Sequence, residues 1–244
     1  MPVPSRAEER MNLLITAGNT RTPIDRVRCL TNIFTGRTGA RIAVEARARG
    51  HAVTLLTSHP DTVAAELGLV VAPYSTFDDL HGLMAEAVPT GKFDAIIHSA
   101  AVSDYALAGV YADSLPLSAS ERGPGGEVSG KISSRHPELW LKFTPTPKIV
   151  DFVRGLWRFP GILVKFKLEV DVTTEELLVI AKRSRAQSDA DFLVANTLDS
   201  YETDAWLIDR ADSASRIDRA ALTAALLDRI ERLFSAPPAR EWVN

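Results

Sequence analysis

The run Leu13-Leu14-Ile15-Thr16-Ala17, which Gly18 closes, has the composition of a buried β-strand. Residues 39–49 follow, with apolar side chains at helical spacing among Arg and Glu, and Gly50 ends that stretch. A second strand-like run begins soon afterwards, at residues 52–56. A strand, a helix and a strand in this order predict a βαβ unit with two parallel strands.

The same alternation continues along the rest of the chain. Further strand-like runs occur at residues 70–72, 95–97, 162–164 and 192–195, and helical stretches occur near residues 77–88, 147–156, 174–187 and 218–234. This pattern predicts an α/β fold with a Rossmann-like, mostly parallel sheet flanked by helices. We expect a single domain over residues 12–236, with an N-terminal tail at 1–11 and a C-terminal tail at 237–244.

Residues 105–145 interrupt the alternation between the fourth predicted strand and the helix that follows it. The segment contains several glycines and prolines, and residues 139–143 near its end alternate apolar and polar side chains, which predicts an antiparallel strand. Long insertions in compact domains are commonly functional. We therefore predict a flap, and we expect its residues 106–135, which have few large apolar side chains to bury, to be mobile without ligand.

Composition limits the classes of function. Lys and Arg number 28 against 31 Asp and Glu, a net charge of −3, which argues against a nucleic-acid partner. The single cysteine, Cys29, rules out an intramolecular disulfide and a cysteine-based metal site, and it fits a reducing compartment. The polar, acid-bearing start is unlike a signal peptide, and no apolar run reaches membrane-spanning length. We expect a cytoplasmic protein without a membrane partner.

Ligands of open parallel sheets bind beyond the carboxyl ends of the strands, and two early segments fit that position. Gly18-Asn19-Thr20 leaves the first strand, although it is neither a G-x-G-x-x-G fingerprint nor a Walker A loop. Thr35-Gly36-Arg37 and Gly39 open the first predicted helix, where backbone N–H groups can form an anion-binding nest. The alternatives are a polar strand-to-helix loop and a glycine that only N-cap geometry requires.

Two later segments also carry candidate residues. Ala100 and Ala101 follow the fourth strand, and their small side chains let a ligand approach the backbone. Asp104 could accept a hydrogen bond from a ribose hydroxyl or lie near a metal. The alternative is that Asp104 is a helix N-cap. His98 is better interpreted as a satisfied core or rim histidine than as a base. Lys131 lies in the glycine-bearing flap and could neutralise charge on an α-phosphate, whereas a lone lysine is more often a solvated charge.

Taken together and in this order, these segments resemble the phosphopantothenate–cysteine ligase family. Its motifs are matched by GNTRTPIDRVR at 18–28, NIFTGRTG at 32–39, AAVSDY at 100–105, KISS at 131–134, TPKI at 146–149 and VAN at 194–196. Each motif is weak alone, but all of them occur in register over residues 12–210. The segment 164–169, VKFKLE, is similar to the stand-alone and eukaryotic ligases and differs from the GFAAET of the bifunctional bacterial fusions.

The resemblance implies a reaction in two halves. A nucleoside triphosphate activates the carboxylate of 4′-phosphopantothenate as an acyl-nucleotide, and the amine of L-cysteine then attacks the acyl carbon. The co-substrate is CTP or ATP, with a lean to CTP, and Mg²⁺ is expected on its phosphates and not in a separate metal site. No flavin-binding domain precedes the chain, so FMN is not expected. A homodimer is expected, in which the flap of one subunit lies near the site of the other.

The resemblance also implies roles for single residues. The catalytic pair is Lys131, which would meet the α-phosphate, and Asn32, which would orient the acyl carbonyl. The nucleotide- and phosphate-binding set comprises Gly18, Asn19, Thr20, Thr35, Gly36, Arg37, Gly39, Ala100, Ala101, Asp104, Phe166 and Asn196. Within that set, Phe166 and Asn196 are expected near the base or the ribose.

Three residues depart from the family pattern. Asn19 replaces a second glycine, and Phe34 replaces a small hydroxyl residue. Ser188 stands where many bacterial members carry a basic residue before the VAN strand. These departures concern the fit of the phosphate loop and a contact to the nucleotide.

Two other classes of protein stay open. An NAD(P)-dependent oxidoreductase would need a dinucleotide fingerprint and an acid closing the second strand, where this chain has Thr57-Ser58-His59. A family member that has lost its activity would act as a binding or regulatory protein. Retention of Asn32, Asp104 and Lys131 speaks against that second alternative.

Overall fold

The computed structural model describes residues 10–63, 68–112, 115–116, 128 and 130–236. The strands of these residues are β1 Asn12–Ala17, β2 Arg21–Pro23, β3 Cys29–Thr31, β4 Ala52–Thr57, β5 Val70–Pro73, β6 Ala95–His98, β7 Tyr105–Ala112, β8 Leu115–Pro116, β9 Leu139–Pro145, β10 Ile162–Glu169, β11 Phe192–Thr197, β12 Asp204–Asp209 and β13 Ala214–Asp218. The helices are α1 Arg37–Ala48, α2 Phe77–Ala87, α3 Ile149–Arg154, α4 Thr174–Gln187 and α5 Leu222–Ser235.

The main sheet of the described residues has eight strands in the order β13-β12-β11-β10-β6-β1-β4-β5. The strands from β11 to β5 are parallel, and β12 and β13 add an antiparallel edge. The predicted α/β fold with a mostly parallel sheet flanked by helices is therefore confirmed. The direction in which strands are added reverses between β1 and β6, and ligands of open α/β sheets bind at such a reversal.

Strand β1 lies at the centre of the sheet and is buried on both faces. Leu13, Ile15 and Ala17 pack in an apolar cluster with residues of α1 and α5, whereas Leu14 packs with residues of α2 and α3. A parallel strand covered by helices on both sides needs apolar residues at successive positions. This double burial explains why the run at 13–17 is recognisable as a strand from its composition.

Buried Asp191 joins three elements at the amino edge of this sheet. Its Oδ2 accepts hydrogen bonds from Arg154 Nη2 at 2.7 Å and from the Leu163 N–H at 2.8 Å, and its Oδ1 accepts one from Arg210 Nε at 2.7 Å. The carboxylate therefore links α3, β10 and the residue that follows β12. A buried charge with several charge-assisted hydrogen bonds is satisfied in this position.

Strands β8, β7 and β9 form a separate antiparallel sheet, inserted between β6 and α3. Strand β9 pairs with β7 along its whole length, which confirms the predicted antiparallel strand at 139–143. Leu107, Val110, Val128 and Ile132 are buried together in a small core of this layer. The expectation that the segment has few large apolar residues to bury is therefore wrong for its described part. Its mobility stays a prediction, and residues 117–127 lie outside the described residues.

The sequence pattern missed two short hairpins, β2–β3 and β12–β13. Strands β2 and β3 have three residues each, and all three residues of β3 are exposed, so no apolar alternation marks them. Residues 1–9 and 237–244 of the two predicted tails lie outside the described residues. Among the helices that the structure describes, none is long and apolar enough to cross a membrane.

Candidate active site

The loops that leave β1 and β6 bond to each other beyond the edge of the sheet. The Ala101 N–H donates to the Gly18 carbonyl at 2.8 Å, and the Thr20 N–H donates to the Ala101 carbonyl at 3.2 Å. The Ser103 N–H also donates to Thr20 Oγ1 at 2.7 Å. These bonds fix residues 18–20 and 100–103 as one surface, which we call the rim. The rim lies at the reversal of strand order, where the sequence placed a ligand.

Asn19 is held inside this rim by both ends of its carboxamide. Its Oδ1 accepts a hydrogen bond from Ser58 Oγ at 3.1 Å, and its Nδ2 donates to the Asn32 carbonyl at 2.6 Å. The Ser58 hydroxyl oxygen also accepts from the Asn19 N–H at 2.9 Å. Asn19 therefore ties the end of β4 and the loop before α1 to the rim. The substitution of a glycine by Asn at this position has a structural role in this chain.

Helix α1 begins directly against the rim because two glycines allow it. Gly36 has a φ of +79°, and a Cβ atom there would lie 2.1 Å from the Gly18 nitrogen. A Cβ atom on Gly39 would lie 2.5 Å from Ser99 Oγ. Gly36 is also the N-cap of α1 and supplies no side-chain acceptor to its first turn. A helix N-terminus of this kind favours an anion, so the predicted nest at 36–39 has suitable geometry.

Asn32, the predicted carbonyl-orienting residue, lies on the open side of the rim. It is exposed, and its Nδ2 donates to the Ala101 carbonyl at 3.1 Å. The structure thus brings Asn32 together with the Ala100–Ala101 backbone, as the predicted site requires.

Asp104 does not cap a helix, so that alternative is wrong. It directly precedes β7, and its backbone carbonyl accepts a hydrogen bond from the Thr146 N–H at 2.9 Å. Its carboxylate forms an ion pair with Lys148, which precedes α3. The side chain is therefore exposed at the rim, next to a cation.

Phe166 and Asn196 lie at the carboxyl halves of the neighbouring strands β10 and β11. Asn196 is buried, and Phe166 packs against the apolar cluster below α1. Both residues occur at the same edge of the sheet as the rim. Lys131 is exposed in the inserted layer, and among the described residues no hydrogen bond or ion pair joins it to the rim. The structure thus places Asn19, Gly36 and Asn32 at the rim and Phe166 and Asn196 at the same edge of the sheet.

Two buried basic groups stand side by side on β6 and β10. His98 is buried, and its Nδ1 lies 2.9 Å from Thr16 Oγ1, so its interpretation as a satisfied histidine is confirmed. Burial, and then the charge of Lys165, lower the pKa of His98 to about 4. The imidazole is therefore neutral at physiological pH.

Lys165 was missed by sequence reasoning, although a lysine within a strongly apolar strand is a usable signal. Its Nζ donates to the Ser184 carbonyl at 3.1 Å and to Ser188 Oγ at 2.8 Å. Burial lowers the pKa of Lys165 to about 8, Lys167 and Lys148 act in the same direction, and Asp151 opposes them.

Basic and aromatic residues from the C-terminal part of the sequence lie beside the start of α1. The Arg219 guanidinium donates to Thr38 Oγ1, and burial followed by the charge of Arg41 lowers the pKa of Arg219. The rings of Phe34 and Tyr201 meet edge to face, with centroids 5.8 Å apart. Phe34 therefore has an aromatic partner here. Neither Arg219 nor Tyr201 belongs to a local motif, which is why the sequence did not indicate them.

Residues 9–116 match the family model of the DNA/pantothenate metabolism flavoprotein C-terminal domain. The coenzyme A biosynthesis bifunctional protein CoaBC of Thermococcus kodakarensis is 32% identical over 235 residues, which cover 93% of this chain and 52% of that protein. CoaBC of Escherichia coli is 29% identical over 192 residues, which cover 77% of this chain and 41% of that protein. The chain therefore spans about half the length of these curated relatives, or less.

Solved structures show the same architecture. The DNA/pantothenate metabolism flavoprotein from Streptococcus pneumoniae superposes with a TM-score of 0.78 at 29% identity, covering 91% of this chain and 99% of that one. A Cab2 variant in complex with phosphopantothenate-cysteine superposes with a TM-score of 0.69 at 16% identity, covering 92% of this chain and 86% of that one. The likeness to the Cab2 variant shows a shared fold.

The close approach of Gly36 to the rim gives a first prediction, with Gly50 as its matched control. Both residues have a positive φ, but a Cβ atom on Gly50 would meet nothing within 4 Å. Each change to alanine should cost about 1–2 kcal/mol for the left-handed backbone. Gly36→Ala should lose roughly 1–3 kcal/mol more, because backbone must move aside. Urea unfolding of both variants measures the difference, and equal losses would contradict the contact.

The lowered pKa of Lys165 gives a second prediction, on pH. The pKa of this lysine falls from 10.5 in its ordinary state to about 8 in the fold, so the unfolded chain binds more protons between these two values. Folding stability should therefore rise with pH from 8 to 10.5 relative to Lys165→Met, and the difference should be constant below pH 8. Urea unfolding across this range is the measurement. Lys92→Met, which removes an exposed lysine, is the control.

Proposed function

We propose that this chain is a phosphopantothenate–cysteine ligase of coenzyme A biosynthesis, because it matches the model of the DNA/pantothenate metabolism flavoprotein C-terminal domain over residues 9–116 and is similar to CoaBC. The observation that supports this most is the common rim. Asn32 bonds to the Ala101 carbonyl at the strand ends where α1 begins, so an acyl group and a phosphate would meet there. The similarity to CoaBC, a coenzyme A biosynthesis protein, supports the choice of pathway.

The proposed reaction proceeds in two displacements. A carboxylate oxygen of 4′-phosphopantothenate attacks the α-phosphorus of CTP or ATP, and the bond to the β-phosphate oxygen breaks, releasing pyrophosphate. The amine of L-cysteine then forms a bond to the acyl carbon, loses a proton, and displaces the nucleoside monophosphate. Activation is needed because a free carboxylate is a poor acylating agent. Positioning and charge neutralisation can supply most of the catalysis.

Residues of this chain take separate roles in that scheme. The N-terminus of α1 would hold phosphate groups beside residues 18–20, and Arg37 would add positive charge. Asn32 would orient the acyl carbonyl from the rim. Lys131 would neutralise charge on the α-phosphate. Asp104, Phe166 and Asn196 would border the nucleotide, with Mg²⁺ carried on its phosphates.

One assay separates this function from its alternatives. Purified protein is supplied with 4′-phosphopantothenate, CTP or ATP, Mg²⁺ and cysteine, and both pyrophosphate and the amide product are measured. The ligase should release pyrophosphate in step with amide formation. Binding of substrates without pyrophosphate release would indicate an inactive family member. Reduction of NAD(P)⁺, added to a parallel reaction, would indicate an oxidoreductase. The comparison of CTP with ATP in the same assay assigns the co-substrate. We also propose a cytoplasmic location.

Lys131 and Asn32 should act in different halves of the reaction, which is a third prediction. Lys131→Ala should slow acyl-nucleotide formation on the order of a hundredfold, because an ammonium stabilises charge that develops on the phosphorus. Asn32→Ala should spare activation more than amide formation, because an uncharged carboxamide orients a carbonyl but neutralises no triphosphate. The acyl-nucleotide should then accumulate, and mass spectrometry of quenched reactions detects it.

Both variants must unfold at the temperature of the unchanged protein for this comparison to hold. Full activity of Lys131→Ala, or equal loss of both half-reactions in Asn32→Ala, would contradict the assigned roles.

We propose a homodimer whose interface includes residues 26–36 and the inserted layer, and this is the fourth prediction. Several large apolar side chains in these regions are exposed: Val27, Leu30, Ile33, Tyr105, Leu139 and Trp140. Ile33 is 79% exposed, and Ile33→Asp should shift the protein toward monomer because a buried carboxylate would be unpaired. Val179→Asp, at a 68% exposed site on α4, is the control. Sedimentation at micromolar concentration measures both, and a monomeric unchanged protein would contradict the dimer.

A further inference from the structure

The turn between β2 and β3 contains a fully buried carboxylate, that of Asp25. Its side chain has no exposed surface. Its Oδ1 accepts hydrogen bonds from the N–H groups of Val27 at 2.9 Å and Arg28 at 2.8 Å, which close the turn. Its Oδ2 accepts from Arg28 Nε at 2.9 Å and Nη2 at 2.5 Å. The two carboxylate oxygens thus have different partners.

The same Oδ2 atom also reaches the segment that carries the candidate catalytic lysine. The Ile132 N–H donates to Asp25 Oδ2 at 3.1 Å, across 107 positions of sequence. Arg28 Nη2 donates to the Ile132 carbonyl at 3.0 Å, and the Arg26 N–H donates to the Gly130 carbonyl at 3.1 Å. The residues on both sides of Lys131 are therefore bonded to one turn. We call this set of bonds the Asp25 clamp.

The environment of the clamp keeps the carboxylate charged. Burial disfavours the charge of Asp25, but the Arg28 guanidinium and the N–H groups of Val27, Ile132 and Arg28 outweigh it and hold the pKa of Asp25 well below its usual range. The side chain of Ile132 is anchored as well, in the small core with Leu107 and Val110. Lys131, between two anchored neighbours, is itself exposed. Its backbone is fixed while its side chain is free to meet a ligand.

We propose that Asp25 is a positioning residue for Lys131, and this inference rests on the proposed ligase function. The clamp fixes the backbone from which the lysine projects, so the ammonium reaches the α-phosphate from one defined origin. Small misplacements of a catalytic group lower rates strongly, by as much as about a hundredfold for about 1 Å. Asp25 therefore acts in catalysis through Lys131, without contact to substrate.

Asp25→Asn separates the clamp from the local turn. Asparagine keeps one carbonyl oxygen, which can retain the bonds from Val27 and Arg28 N–H groups. Its amide nitrogen would replace Oδ2 and face the donors of Arg28 and Ile132, with which it cannot bond. The turn should therefore persist while the link to Ile132 is lost. Asp191→Asn is the matched control, because Asp191 is another buried carboxylate with arginine and N–H partners, at the opposite edge of the sheet.

The decisive experiment is a double-mutant cycle on acyl-nucleotide formation, followed by mass spectrometry in single-turnover reactions. Asp25→Asn should slow this step by roughly tenfold to a hundredfold. In a Lys131→Ala background the same change should cost less than about twofold, because the positioned group is gone. Asp191→Asn should lower the unfolding midpoint. It should change the rate of acyl-nucleotide formation by the same factor whether Lys131 is present or replaced by alanine. A loss that is as large without Lys131 as with it would overturn the proposal.

Hydrogen exchange of the Ile132 amide tests the clamp without reference to activity. The Ile132 amide should exchange faster in the Asp25→Asn variant than in the unchanged protein. In the Asp191→Asn variant its exchange rate should not change. Unchanged exchange at Ile132 would overturn the proposal even if the rate falls. An unchanged protein that makes no acyl-nucleotide would instead remove the proposed function, and the inference with it. The inference alone fails if the unchanged protein is active and the effects of Asp25→Asn and Lys131→Ala are additive. The two failures are therefore distinguishable.

Discussion

The backbone of Gly36 lies against that of Gly18 so closely that a Cβ atom would come within 2.1 Å of the Gly18 nitrogen. This contact sets where α1 begins relative to β1 and β6. Because the helix starts at the rim, its N-terminus, the Ala100–Ala101 backbone and Asn32 occupy one surface. A side chain at Gly36 would separate the helix from the strands, and the positive end of the helix dipole would no longer face the reversal of strand order.

Much of the fold could be predicted because the central strands are covered on both faces. Leu13, Leu14, Ile15 and Ala17 are buried on the two faces of β1, and such nearly continuous apolar runs stand out from the sequence. The β12–β13 hairpin gave no comparable signal. Its turn has Asp212 at a φ of +59°, where a glycine would have been recognisable. Its outer strand, Ala214–Asp218, is short and has no regular alternation of apolar and polar residues. Pairing at this edge follows from tertiary contacts that local pattern does not contain.

Some residues of the candidate site could likewise be predicted from the sequence, and others could not. Its loops follow strand ends and carry contiguous motifs, so Gly18, Gly36, Ala101 and Asn32 were found from sequence. Lys165, Arg219 and the role of Asn19 were not, because each depends on partners far along the chain. Burial also determines the protonation of two basic residues near the site. It leaves His98 neutral and lowers the pKa of Lys165 to about 8.

The Asp25 clamp has a consequence for the order of folding. Its two ends are 107 positions apart, and closing a long loop is opposed by chain entropy until other contacts have shortened it. We expect the pairing of β1 with β4 and β6 to form first, since those contacts have shorter separations in sequence. The bonds between residues 25–28 and residues 130–132 should therefore form after the central sheet. A partly folded chain without the clamp would have the central sheet in place while the backbone on either side of Lys131 is not yet fixed.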